Sequence, residues 1–173
     1  MGCLAGPVVA AAVILHAERV PRGIKDSKLL SAKERERLDI EIRTHAIAFA
    51  IGVATVEEID AINILQASRV AMKRAIGGLS VVPTYLLIDG RMALDISISQ
   101  EALIKGDSRS LSIGAASIIA KVFRDQLMCK LDEQFPGYSF ASHKGYGSIE
   151  HRKALQEKGT TPYHRKSFTW TPV

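Results

Sequence analysis

Residues 8–15, VVAAAVIL, are apolar without a break and follow directly on Gly6 and Pro7. This run limits the possible folds more than any other stretch. It is too short for a membrane-spanning helix, which takes about 20 apolar residues, and Gly-Pro at its entrance suits a helix poorly. No basic residue precedes it, so the charged flank of a secretory leader is absent. A buried strand over 8–15 is the remaining reading. A second short run, TYLLIDG, ends abruptly at Asp89 and Gly90. Continuous apolar runs of this length suit strands covered on both faces by helices, so this one is expected to be central and parallel.

Between these runs the period changes. Ser31 with Glu34 reads as a capping box, and Leu38 and Ile42 keep a helical spacing behind it. AIAFAIGVAT reads as a strand ending at Thr55; a helix follows, broken near Asn63 and stopped at Gly77 and Gly78. EALIKGD offers a short strand ending at Asp107, and residues 110–134 form a helix whose small first half can pack closely on a sheet. A glycine- and aromatic-rich loop, a short helix and a basic tail complete the chain. The order strand, helix, strand, helix, strand, strand, helix, loop, helix predicts an α/β fold: a mixed central sheet flanked by helices. With 173 residues and no Pro/Gly/Ser linker, residues 1–173 are expected to form one domain.

Charge is unevenly placed. Residues 141–173 hold six Lys and Arg against two Glu, together with His143, His151 and His164, whereas the rest is nearly neutral. A basic C-terminal region suits a polyanionic partner, and a solvated basic helix explains it equally well. Cys3 and Cys129 lack metal or redox spacing, so free thiols in a cytoplasmic chain are expected.

Asp89 falls beyond the end of a strand, where open α/β sheets bind ligands. Such an aspartate also serves to cap turns, and Gly-Asp-Ser around Asp107 is a common turn in itself. If both lie at one sheet edge, their mutual repulsion calls for a compensating cation. Mg²⁺ is typically held by one or two carboxylates plus phosphate oxygens, and such a site beside a basic region is what two-metal phosphodiester hydrolysis needs. Asp125 is the rival for the second position, but it lies about four turns into the helix and is expected to point elsewhere. His164, Arg165 and Lys166, with His143, are expected to make non-specific phosphate contacts. Arg124 and Asp125 read as an internal ion pair and His151 as solvent-facing; Lys105 and Lys121 could neutralise phosphate or balance the acidic site, although lysines of this kind are more often solvated.

The segments LAGPVVAAAVIL, DSKLLS, LIDG, KGDS, SIGAASIIAKVFRD, HKGYGS and HRKSF occur in this order across nearly the whole chain. The ordered set resembles bacterial ribonuclease HII. The resemblance implies an RNase H-like fold and an endonuclease that hydrolyses the RNA of RNA–DNA hybrids, including single ribonucleotides embedded in duplex DNA. It implies Mn²⁺ or Mg²⁺ as cofactor, with Asp89 and Asp107 as the third and fourth acidic residues of the site. Gly2 matches part of the segment that reads the 2′-hydroxyl, Ser27 and Lys28 a phosphate-contacting turn, and Tyr146 the tyrosine that packs on the sugar beside the ribonucleotide. In the family, Asp-Glu-x-Gly-Arg precedes this region, and Met1 stands where that arginine would be. On this resemblance the first, central strand and two acidic residues are missing. A poorly stable or rearranged monomer with little nuclease activity is therefore expected. The alternatives are a catalytically inactive hybrid-binding protein and a non-enzymatic α/β scaffold.

Overall fold

A computed structural model describes residues 2–173; the match of Met1 to the family arginine lies outside the described residues. Strand β1 (Val8–Ile14) leads through a polar loop to helix α1 (Ala32–His45), strand β2 (Ala48–Ala54) and helix α2 (Val56–Gly77). Strands β3 (Tyr85–Asp89) and β4 (Ser99–Leu103) follow, then the long helix α3 (Leu111–Gln134) and the short helices α4 (Phe140–His143) and α5 (Ile149–Lys158).

The local codes explain most boundaries. Ser31 and Glu34 form the capping box of α1, and Thr55 with Glu58 forms another at the start of α2. Inside α2, Asn63 takes φ 67°, a conformation costly for a side-chain-bearing residue, and its Oδ1 accepts from the amides of Leu65 and Gln66. The residue thus breaks the helix and caps its second half.

β1 and β2 pair antiparallel from Val8 with Ala54 to Ile14 with Ala48, while β3 and β4 pair parallel from Tyr85 with Ser99 to Asp89 with Leu103. The side chains of β1 divide by parity. Ala11 and Val13 pack against the core shared by α1 and α3, whereas Val8 and Ala10 pack against Ala67 and Ala71 of α2. Helices therefore cover both faces. Gly52 of β2 lets α2 come close, since a Cβ there would collide with the Ala71 carbonyl oxygen.

The sheet is mixed and, as expected of a sheet without its central strand, divided among the described residues: β1–β2 and β3–β4 are separate two-stranded sheets. A slot of about 710 Å³ lies between them. In consequence β1 is half-buried along all its residues rather than buried. The chain has nonetheless not rearranged, because α2 and α3 bridge the two half sheets from either side: Met72 and Ile76 pack on Leu86 and Ile88, and Ile118 and Ile119 pack beneath β1.

Candidate active site

Asp89 is the last residue of β3, and the Gly90 amide donates to the Leu103 carbonyl, keeping the two strand ends together. Beyond β4 the chain turns through Lys105, held in the left-handed region at φ 55°, into a single 3₁₀ turn, Gly106–Ser108. The Gly106 amide donates to Asp89 Oδ1 at 2.9 Å. A Cβ at Gly106 would crowd Ile113 and approach that same oxygen, so glycine lets the turn settle onto the carboxylate. Asp107, the next residue, is thereby delivered beside Asp89.

A second turn closes the cleft from the opposite side. Asp26 caps the 3₁₀ turn Ser27–Leu29 by accepting from the Lys28 amide, and the Lys28 ammonium lies 3.6 Å from Asp26 and 3.4 Å from Asp107. Burial works against the Lys28 charge, but Asp26 and Asp107 outweigh it and hold its pKa above the ordinary value. Asp26, Lys28, Asp89, Lys105, Asp107 and Ser108 line one cleft of about 420 Å³. Its donors are hard carboxylate and hydroxyl oxygens, the set that suits Mg²⁺ or Mn²⁺. The Lys28 ammonium already acts as a cation between two of these carboxylates. Among the described residues, no group of three or more His, Cys, Asp or Glu converges in a way that could hold a metal.

Tyr146 is brought to the start of the chain by different forces. Cys3 and Tyr146 form an isolated antiparallel bridge, and the Leu4 amide donates to the Gly145 carbonyl at 2.8 Å. Arg124 fixes this junction, donating to the carbonyls of Ala5, Pro7 and Lys144. Gly2 is exposed next to this bridge, and Tyr146 is 51% exposed, as a surface contact requires. The facing Cys3 thiol, helped by burial, pushes the Tyr146 phenol pKa up.

The ribonuclease HII model matches residues 1–171. The chain belongs to the ribonuclease HII family. It is 56% identical over 168 residues to ribonuclease HII 1 of Methylibium petroleiphilum, covering 97% of this chain and 85% of that protein. Ribonuclease HII of Burkholderia pseudomallei is 53% identical over 167 residues, covering 96% and 78%. A structure of the PCNA:RNase HII complex from Archaeoglobus fulgidus is similar with TM-score 0.81 and 26% identity, covering 99% of this chain and 92% of that one. The family is one of endoribonucleases, and the α/β RNase H-like architecture is shared.

Within this ribonuclease HII fold, the expected site residues separate into three groups. Asp89, Asp107 and Lys28 converge on the cleft; Ser27 is buried, but its turn presents Lys28 there. Tyr146 is bridged to Cys3, the neighbour of Gly2. Lys166 stays exposed, with its amide donating to Asp60.

His164 and Arg165 need correction, being 3% and 4% exposed. The Arg165 guanidinium donates to the Gly6 carbonyl, and burial lowers its pKa to about 10. His164 belongs to an internal chain of hydrogen bonds. Its Nδ1 accepts from the Thr161 amide at 2.8 Å, which leaves Nε2 to donate to His151 Nε2 at 3.0 Å, and His151 Nδ1 donates to the Tyr146 carbonyl at 2.8 Å. Each imidazole is thereby assigned a neutral tautomer. His151, expected at the solvent, is completely buried, and burial pushes its pKa down to about 4. His143 stacks on it at 4.4 Å and bonds to the Tyr138 carbonyl, so it too is internal.

Asp125 does point elsewhere, pairing with Lys121 at 2.7 Å and Arg35 at 3.9 Å; its expected partner Arg124 bonds only to carbonyls among the contacts above. Sequence reasoning missed Asp26 and ranked a solvated Lys105 above one that balances the acidic site, whereas Lys105 lines the cleft. The Asp-Ser-Lys turn was visible, but its alignment with Asp107, far away in sequence, was not.

Proposed function

We propose that this chain is an endonuclease acting on the RNA strand of RNA–DNA hybrids and on single ribonucleotides in duplex DNA, using a divalent cation held at Asp89 and Asp107. One observation carries the reading: a strand end and two turns, one of them hydrogen-bonded to Asp89, bring two carboxylates and a lysine from three separate segments into one cleft. When bound, Mg²⁺ or Mn²⁺ supplies Lewis-acid polarisation of the phosphodiester and an activated water. The side chains position and balance charge. Gly106 orients Asp89, while Lys28 and Lys105 offer ammonium groups to a phosphate entering the cleft. Exposed Tyr146 offers an aromatic face to a sugar, and recognition of a 2′-hydroxyl would distinguish RNA from DNA there.

The test is cleavage of a labelled duplex carrying one ribonucleotide. Expected are 3′-hydroxyl and 5′-phosphate ends, formed in Mn²⁺ or Mg²⁺, blocked by chelation, and reduced by about a hundredfold or more in Asp89→Asn or Asp107→Asn. Cleavage unchanged in both variants rejects the reading. Lys28, which already balances the charge of Asp26 and Asp107, favours a second reading, a hybrid-binding protein that cuts slowly or not at all. It predicts salt-sensitive binding of the duplex without products.

A further inference from the structure

Tyr146 lies between Gly145 and Gly147, so its own backbone does little to fix the direction of its ring. The approach to it is unusual as well, with Lys144 at φ 52° and Gly145 at φ 82°. An aromatic face offered to a sugar from such a loop has to be held from outside, because ordering it on binding costs affinity.

Two imidazoles do the holding. His143 closes α4 and His151 stands in the first turns of α5, so each ring is carried by a helix on one side of the loop. His143 Nε2 donates to the Tyr138 carbonyl at 2.7 Å, which leaves Nδ1 bare to accept from the Gly145 amide at 3.1 Å. His151 carries its proton on the other nitrogen. Its Nδ1 donates to the Tyr146 carbonyl at 2.8 Å, while Nε2 accepts from His164. The Ser148 amide also donates to that carbonyl, and the Tyr146 amide donates to the His143 carbonyl. The two rings stack 10° from parallel, and Phe140 meets both edge to face.

A buried imidazole costs desolvation, and an apolar ring would fill the same space more cheaply. The polarity is directed instead. From the Thr161 amide through His164 and His151, each donor meets the next acceptor, and the last of them is the carbonyl of Tyr146. His151 is completely buried, so it reaches no substrate itself.

We propose that His143 and His151 are positioning residues for ribonucleotide recognition, gripping the Gly145 amide and the Tyr146 carbonyl so that the Tyr146 ring is set to meet the sugar. The inference rests on the reading of Tyr146 as the residue that contacts that sugar.

The test uses paired amides. At either position Asn puts its amide where Nδ1 lies, able to accept from Gly145 or donate to Tyr146, whereas Gln puts it where Nε2 lies and leaves the grip open. The full chain is titrated in Ca²⁺ with a labelled duplex carrying one ribonucleotide and with the all-DNA duplex of the same sequence, and the ratio of the two affinities is the readout. His143→Gln and His151→Gln are expected to lower the ratio about tenfold, the worth of one hydrogen bond, toward the value of Tyr146→Ala. His143→Asn and His151→Asn keep the parent's ratio. A merely structural role would weaken both duplexes together and leave the ratio unmoved. Thermal melts show which variants fold; if those at His151 do not, the His143 pair decides, and imidazole nitrogen NMR spectra of the parent chain test the two tautomers with no substitution. Gln variants with the parent's ratio, Asn variants as impaired as Gln, or reversed tautomers each overturn the inference alone. A parent chain with no preference for the ribonucleotide overturns the reading of Tyr146 and the inference with it.

Discussion

Lys28 and His151 show how a single residue's neighbours decide its role. Lys28 is held charged by two carboxylates, so Lys28→Ala removes a cation and leaves Asp26 and Asp107 without their partner. The expected outcome is a lower affinity for hybrid duplex with a shallower dependence on salt, measured by titration at several ionic strengths. His151 is held neutral. Its pKa in the unfolded chain is near the ordinary 6.5 but about 4 in the fold, so the unfolded state takes up a proton first as pH falls. Stability is thus fully present above pH ~6.5 and declines toward pH ~4, by at most about 1.4 kcal/mol per pH unit for each such proton. Thermal melts from pH 7.5 to 4.5 should show this decline. His151→Gln should melt lower at pH 7.5 yet lose less on acidification, and an equally steep decline would reject the assignment.

At the scale of the element, helix starts were readable because capping is local. Ser31→Ala should cost about 1 kcal/mol in chemical denaturation, the usual worth of an N-cap hydroxyl. The break at Asn63 and the stop at Gly77 and Gly78 were legible for the same reason: Asn63 takes a positive φ that few residues accept, and two successive glycines are poor helix formers. Gly52 was not legible, since its need arises from α2 lying against β2. Gly52→Ala is expected to destabilise by about 3 kcal/mol, because the added methyl meets backbone rather than a yielding side chain. A denaturation midpoint within error of the parent would contradict the close approach. Helix α5 was placed correctly, but its orientation was not. His151 looked polar and solvent-facing, yet it sits between Phe140, His143 and His164.

Across the whole molecule, two half sheets joined through helices should not open as one unit. β1 and β2 are packed by α1, α2 and α3, whereas β3 and β4 rest on the small cluster of Leu86, Ile88 and Leu94. Native-state hydrogen exchange in rising urea is expected to open β3–β4 at lower denaturant than β1–β2. A single common opening would show that the slot does not divide the fold.

The sequence by itself determined the α/β class, the helix caps and the family, and named Asp89 and Asp107 as candidates, since each is written in neighbouring residues or in an ordered set of motifs. Only the tertiary structure decided that Asp26 joins Lys28 in the cleft, and that His151, His164 and Arg165 serve the interior. Periodicity reports which face of an element is apolar. It carries no information about which distant element covers that face, and burial, charge pairing and ladder partners are all set by that second fact.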